Sequence, residues 1–279
     1  MRIPHWMKNL LILLPMIFNQ ELGKIDLVLD MIGAFIAFSL MASSIYIIND
    51  IRDMEYDRQH EHKKNRPLAS GAVSVKEAIV CCVVLILASI GINYFIDHSV
   101  NGFLCLLVYL ILNIVYSLQF KNIPIVDVVI LAIGFLLRVL YGGCILNIEI
   151  SEWLYLTVLT MALYLGCGKR RNEVRKSGIK TSRKVLAYYS EEFLDKCMQM
   201  FLTLTIMFYA MWTISSKNTV LYGRKMLWTV VLVIMICMKY NMNIEQEGFG
   251  DPVDVVLKDH VLLFMILFYA VAMILCIYI

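Results

Sequence analysis

YIINDIRDMEYDRQHEHKKNRPLASG, residues Tyr46 to Gly71, joins the end of a long apolar run to a dense cluster of acids and bases. Asn49, Asp53 and Asp57 recur every four residues, so a helix continued through them would project their oxygens from one face, about 6 Å apart per step. Mg2+ takes oxygen ligands, commonly one or two carboxylates completed by water and substrate phosphates, and such a face is a candidate site for it. Asp50 is a further oxygen, but it turns about 100° away from Asn49 and is the weaker ligand candidate. Lys63, Lys64 and Arg66 follow at once and suit the anion that the metal would bring. The bland alternative is a solvated helix end whose acids pair with Arg52 and Arg58. Acid, metal and base together suggest a diphosphate substrate.

Outward from this stretch the chain is apolar. Of its 279 residues 60% are hydrophobic and the mean hydropathy is +0.74, which excludes ordinary soluble domains. Apolar runs at 27–48, 78–96, 102–118, 125–146, 153–167, 194–215, 226–238 and 261–279 read as membrane-spanning helices, several near the lower length limit of about 18 residues. A shorter run at 10–18, interrupted by Pro15, adds a first short or re-entrant segment. The expectation is an all-α polytopic membrane protein: about nine transmembrane helices around a central polar cavity open to the cytosol. No linker or low-complexity tract divides the chain, so residues 1–279 read as one domain.

The start, MRIPHWMKNLLILLPMIF, has the basic-then-apolar order of a signal peptide but no small-residue cleavage site after it, and is read as mature protein. Most lysines and arginines lie in the N-terminal segment and in the connections after the even-numbered helices, which puts those parts in the cytosol. The net charge of +3 does not point to nucleic acid, because bilayer topology already accounts for juxtamembrane bases. Eight cysteines, nearly all inside apolar runs and without CxxC spacing, read as small apolar fillers rather than disulfides or metal ligands.

Charged connections stand at 49–77, 168–193 and 239–260. In the second, Gly166, Cys167 and Gly168 precede Lys169, Arg170, Arg171, Asn172 and Glu173. Glycines let backbone approach a ligand closely, and Lys169 and Arg170 suit phosphates, one as a point charge and the other as a forked donor. A plain topology signal is the competing reading. In the third, Asp251, Asp254 and Asp259 flank a turn at Gly250 and Pro252, and capping of the last helix is the favoured role. Arg138 and Asp127 stand in one apolar run, eleven residues apart and so on a shared face; an intramembrane arginine is a functional candidate, with a structural ion pair as its alternative. Lys8 could reach the same mouth, against headgroup anchoring together with Trp6. His60 and His62 read as solvated loop residues.

At these residues the chain resembles the UbiA superfamily of intramembrane prenyltransferases. NDIRDMEYD matches that superfamily's first aspartate-rich motif, NDxxDxxxD, at Asn49, Asp50, Asp53 and Asp57. Ordinary members carry a second motif resembling DxxxD after the sixth helix, whereas this loop reads GCGKRRNEV. HWMKNLLILLP, YSLQFKNIPIVD, GFLLRVLYGG, LGCGKRRNE and GDPVDVVLKDH resemble instead the branch whose members transfer a phosphoribosyl group to decaprenyl phosphate, across residues 5–260.

The resemblance implies a nine-helix fold, 5-phosphoribosyl 1-diphosphate as donor and a long-chain polyprenyl phosphate as acceptor. It implies Mg2+ held by Asn49, Asp53 and Asp57 as the metal and catalytic set, and diphosphate steadied by Lys63, Arg66 and Lys8. Lys169 and Arg170 would take the ribose 5-phosphate or the acceptor phosphate, and Tyr46, Lys121, Asp127 and Arg138 would line the cavity. The setting would be the inner or plasma membrane, with the site facing the cytosol and the product used in cell-envelope glycan precursor synthesis; self-association of the chain is compatible with this. The rival enzyme reading is a prenyltransferase with a prenyl diphosphate donor and an aromatic acceptor. The non-enzymatic rival is a transporter, which leaves the motif beside KKNRP unexplained.

Overall fold

A computed structural model describes residues 3–59, 63–97, 100–176, 184–247 and 252–279. Among these every regular element is helical. After a 3-10 segment at Ile3–Leu13 come α1 (Leu14–Phe18), α2 (Ile25–Arg52), α3 (Met54–Arg58), α4 (Val75–Ile96), α5 (Val100–Leu118) and α6 (Val126–Leu146). There follow α7 (Glu152–Lys176), α8 (Glu191–Ile214), α9 (Ser216–Tyr222), α10 (Thr229–Glu247), α11 (Pro252–Lys258) and α12 (His260–Tyr278). Seven described helices are long and apolar enough to cross a membrane: α2, α4, α5, α6, α8, α10 with the turn before it, and α12. The expectation of about nine counted two more. The N-terminal segment, His5–Phe18, is shorter, and the apolar stretch of α7 is closed between Glu152 and Lys169, short of an 18-residue apolar window.

The chain divides into two compact units, Met1–Met16, Glu21–Lys121 and Leu137–Ile148 in the first, Ile17–Gln20, Asn122–Leu136 and Glu149–Ile279 in the second. In the first unit α2 packs chiefly on α4. Ala34, Ala37, Ser39, Ala42, Ser43 and Ser44 are buried along α2, and small residues of this kind let two backbones approach in an apolar solvent. The approach is close enough for side-chain hydroxyls to bridge: Ser89 Oγ of α4 donates to the Ala37 carbonyl at 2.7 Å. Beside the end of α6, a Cβ on Gly142 would stand 2.0 Å from the Ile12 carbonyl oxygen, so glycine is required for the N-terminal segment to lie there.

In the second unit α7 packs on α8 and α10 on α12. Thr205 of α8 donates to Thr160 of α7 at 3.0 Å, and the Phe18 and Trp212 rings lie 4.7 Å apart. Half of the apolar residues of α12 are exposed, among them Phe264, Leu267, Phe268 and Val271. A face of that composition needs hydrocarbon rather than water around it. The cysteines are free; Cys82, Cys167 and Cys237 are buried fillers as expected, while Cys81 is exposed.

Candidate active site

α2 continues beyond its apolar stretch to Arg52 and stops at Asp53, whose φ of −89° and ψ of 5° leave the helical region; α3 resumes at Met54. The four-residue register survives the break, since the Asp53 amide donates to the Asn49 carbonyl at 2.9 Å and the Asp57 amide to the Asp53 carbonyl at 2.8 Å. The side chains nevertheless sort into two pairs. Asn49 Oδ1 accepts from the Ser117 hydroxyl at the end of α5, and Asp53 Oδ1 meets Lys121 Nζ at 2.8 Å. Asp50 and Asp57 share Arg66, at 3.2 and 2.5 Å. Seven residues bring a helix nearly back to one direction, so Asp50, expected to turn away, joins Asp57 on the Arg66 side. Asp57 is buried while Asp53 is partly open.

The pairing with Arg52 and Arg58 that the bland alternative required is not what forms. Arg52 donates to the Leu118 carbonyl at 2.6 Å, and Arg58 pairs with Glu55 at 2.9 Å. Among the described residues no three acids, histidines or cysteines stand together as a closed metal site. The donor set still fits Mg2+, because Asn49, Asp50, Asp53 and Asp57 supply hard oxygens and the ion needs only one or two carboxylates beside water and phosphate. Arg66 and Lys121 hold the negative charge that such an ion would neutralise.

The N-terminal segment lies along α2. Trp6 Nε1 donates to Ser43 at 3.2 Å. The His5 and Tyr46 rings are 5.5 Å apart, and Lys8 and Tyr46 are half-buried. Lys63 opens a 3-10 turn, Lys63–Asn65; its side chain, with His60 and His62, lies outside the described residues. Arg138, expected to line the cavity, meets protein partners within the first unit. Its Nε donates to Asn9 Oδ1 at 2.7 Å and one terminal nitrogen to the Tyr109 hydroxyl at 3.0 Å. Its charge sits 5.1 Å from both the Phe38 and Tyr109 ring centres. Eleven residues do share a helix face, but each end of α6 has its own neighbours.

Asp127, in the second unit, is fully buried and is claimed by Arg170 Nε at 2.5 Å and by the Tyr189 hydroxyl at 2.6 Å. Arg170 is also fully buried, and its other arm meets Glu173 at 2.7 Å. Two of its donors thus face Asp127 and Glu173 inside the protein. Lys169, its neighbour, is half-buried. The glycines around them lie close to protein: a Cβ on Gly166 would lie 2.8 Å from Val128 Cγ1, and one on Gly168 3.3 Å from Met198. Burial and the hydrogen bond to Asp127 raise the Tyr189 hydroxyl above its ordinary range, so it stays protonated.

Asp259 caps α12, accepting from the Leu262 amide at 2.8 Å and pairing with Lys239 at 2.7 Å. Asp251 and the side chain of Asp254 lie outside the described residues. Sequence reasoning missed Ser117, Asn9, Tyr109 and Tyr189. All four are the partners of recognised candidates, hidden because they come from other segments; Tyr189 is an uncharged residue near the end of the 168–193 connection.

The profile of the UbiA prenyltransferase family matches residues 10–246. Decaprenyl-phosphate phosphoribosyltransferase of Corynebacterium glutamicum is 31% identical, the match covering 100% of this chain and 86% of the relative. The protein of the same description from Mycolicibacterium smegmatis is 31% identical over 95% of this chain and 86% of its own. Among solved structures, a UbiA homolog from Archaeoglobus fulgidus bound to DMAPP and Mg2+ superposes with a TM-score of 0.70 at 18% identity, over 100% of this chain and 97% of that one. A digeranylgeranylglyceryl phosphate synthase structure gives 0.68 at 17% identity, over 98% and 93%. These two likenesses are of fold.

Proposed function

The chain belongs to the UbiA prenyltransferase family, and we propose that it transfers a 5-phosphoribosyl group from 5-phosphoribosyl 1-diphosphate to a long-chain polyprenyl phosphate, releasing diphosphate. The observation that carries this reading is the interleaving of motif carboxylates with cations from neighbouring segments, Asp53 with Lys121 and Asp50 and Asp57 with Arg66. Such a surface suits a ligand that brings both a divalent ion and phosphates. The end-to-end match to phosphoribosyltransferases, and a loop at Gly166–Glu173 that is basic where two carboxylates would serve a prenyl diphosphate, favour the sugar diphosphate as donor.

In this reading Asn49, Asp53 and Asp57 hold Mg2+, with Asp50 beside them. Bound there, the ion supplies charge neutralisation to the departing diphosphate. Arg66, Lys121, Lys63 and Lys8 orient the diphosphate, and Lys169 takes the ribose 5-phosphate or the acceptor phosphate. An acceptor phosphate oxygen attacks ribose C1, the bond from C1 to the diphosphate oxygen breaks, and the electron pair leaves with diphosphate. Tyr46 borders the site, and Arg138 holds the N-terminal segment beside it through Asn9. The setting is the plasma membrane, with the charged connections in the cytosol and the product a precursor of envelope glycan.

Membranes given labelled 5-phosphoribosyl 1-diphosphate, polyprenyl phosphate and Mg2+ test the proposal. The expected result is a labelled lipid, lost on chelation and lost in Asp53→Ala protein that is inserted at the wild-type level. Full activity of that variant at saturating Mg2+ would sink the metal assignment. A product formed only from prenyl diphosphate and an aromatic acceptor would sink the reaction.

A further inference from the structure

The end of α7 is fastened by a chain of hydrogen bonds that neither the motif nor the proposed reaction accounts for. One guanidinium, Arg170, stands between two carboxylates, Asp127 and Glu173, at 2.5 and 2.7 Å, and both Arg170 and Asp127 are fully buried. The Tyr189 hydroxyl joins this cluster by donating to Asp127 Oδ1 at 2.6 Å.

The Tyr189 hydroxyl oxygen in turn accepts the Ile125 amide at 2.5 Å. Ile125 has φ +69°, a left-handed conformation that a β-branched residue avoids and that persists only where its surroundings impose it. Its side chain is 61% exposed and so offers little packing to hold it there. The hydrogen bond to Tyr189 is a restraint on this backbone. Tyr189 is itself fixed at the start of α8, since the next residue, Ser190, is the N-cap and accepts the Phe193 amide at 3.1 Å. One hydroxyl thus ties the turn before α6, the end of α7 and the start of α8.

We propose that Tyr189 is a positioning residue: through Ile125, Asp127 and Arg170 it fixes the rotation of the end of α7 and thereby the direction of Lys169 toward a substrate phosphate. The inference rests on the phosphate-binding reading of Lys169 given above. Lys169 precedes Arg170 on the same helical turn, so an Arg170 held from two sides sets where Lys169 points. Loss of the hydroxyl frees the turn before α6 and lets the Arg170 pair shift, without removing any group that meets substrate.

Tyr189→Phe removes only that oxygen. In the detergent-purified full chain, the peptide spanning Ile125 should exchange one amide hydrogen about tenfold faster than in wild type. In the lipid assay the KM of one substrate, donor or acceptor, should rise about tenfold while kcat stays within about twofold, the pattern of weakened binding rather than weakened chemistry. The substrate that responds identifies the phosphate that Lys169 meets. Unchanged exchange overturns the hydrogen-bond chain. Faster exchange with both KM values unchanged overturns the positioning role. A wild-type protein that makes no labelled lipid overturns the reaction and the role given to Lys169, and the exchange measurement then decides the hydrogen-bond chain alone.

Discussion

Arg138 stands in an apolar run, where a guanidinium is tolerated only if it faces protein and is satisfied there. The first unit meets that demand with acceptors on Asn9 and Tyr109, to which Arg138 donates, and with the aromatic faces of Phe38 and Tyr109. Asn9 in turn donates to Ser39 of α2 at 2.9 Å. The arginine therefore joins the N-terminal segment, α2, α5 and α6 rather than waiting for an anion. Lysine keeps the charge but lacks the fork and the flat face that lies on a ring. Arg138→Lys should cost about 1–3 kcal/mol of stability, read as a lower melting temperature and as faster proteolysis of the segment around Trp6 and Lys8. An unchanged melting curve with lost transfer would point to substrate contact instead. Nothing in the sequence distinguished these two roles, because a periodicity argument gives the face of one helix and is blind to the partner that packs against it.

The helices themselves were far more legible. The apolar runs expected at 27–48, 78–96 and 102–118 are α2, α4 and α5, each reaching a few residues further into polar sequence. Polar ends are where caps rather than hydropathy set the boundary: Ser74 begins α4 with a capping box closed by Glu77, and Asp259 begins α12. The ionised Asp259 is the better cap, and the Lys239 ammonium, the Leu262 amide and Asn243 hold its carboxyl down at about 2. A folded-state value below the ordinary 3.8 means that its contribution is complete above that ordinary value and fades as pH falls toward about 2. Between neutral pH and pH 5, titration of Asp259 should leave α12 unaffected. Asp259→Ala should lower the melting temperature throughout that interval, and the difference from wild type should shrink only in strong acid; a difference that already disappears by pH 5 would contradict the cap.

At the scale of the whole chain, the spacing of long apolar runs established an all-helical membrane protein, and NDIRDMEYD with its following bases located the acidic surface. What sequence could not supply is how each carboxylate finds its cation, since Asp53 reaches Lys121 and Asp127 reaches Arg170 only after helices distant in sequence have packed. The number of spans turns on α7. Its apolar stretch is short, yet Lys169, Arg170, Arg171, Arg175 and Lys176 all follow it on one side. Moving that much positive charge away from the cytosol is disfavoured in bacterial-type insertion, while the opposite end carries only Glu152. Helix α7 should therefore cross the bilayer, with Lys176 on the cytosolic face and the Asn147 connection on the other. Truncated fusions read this directly. Alkaline phosphatase attached after Asn147 should be active and green fluorescent protein there dark, and the two reporters should exchange behaviour when attached after Lys176. The same reporter answering at both points would mean that α7 does not span, and would place Lys169 on the same face as Asn147, away from the cytosolic donor on which the proposed reaction depends.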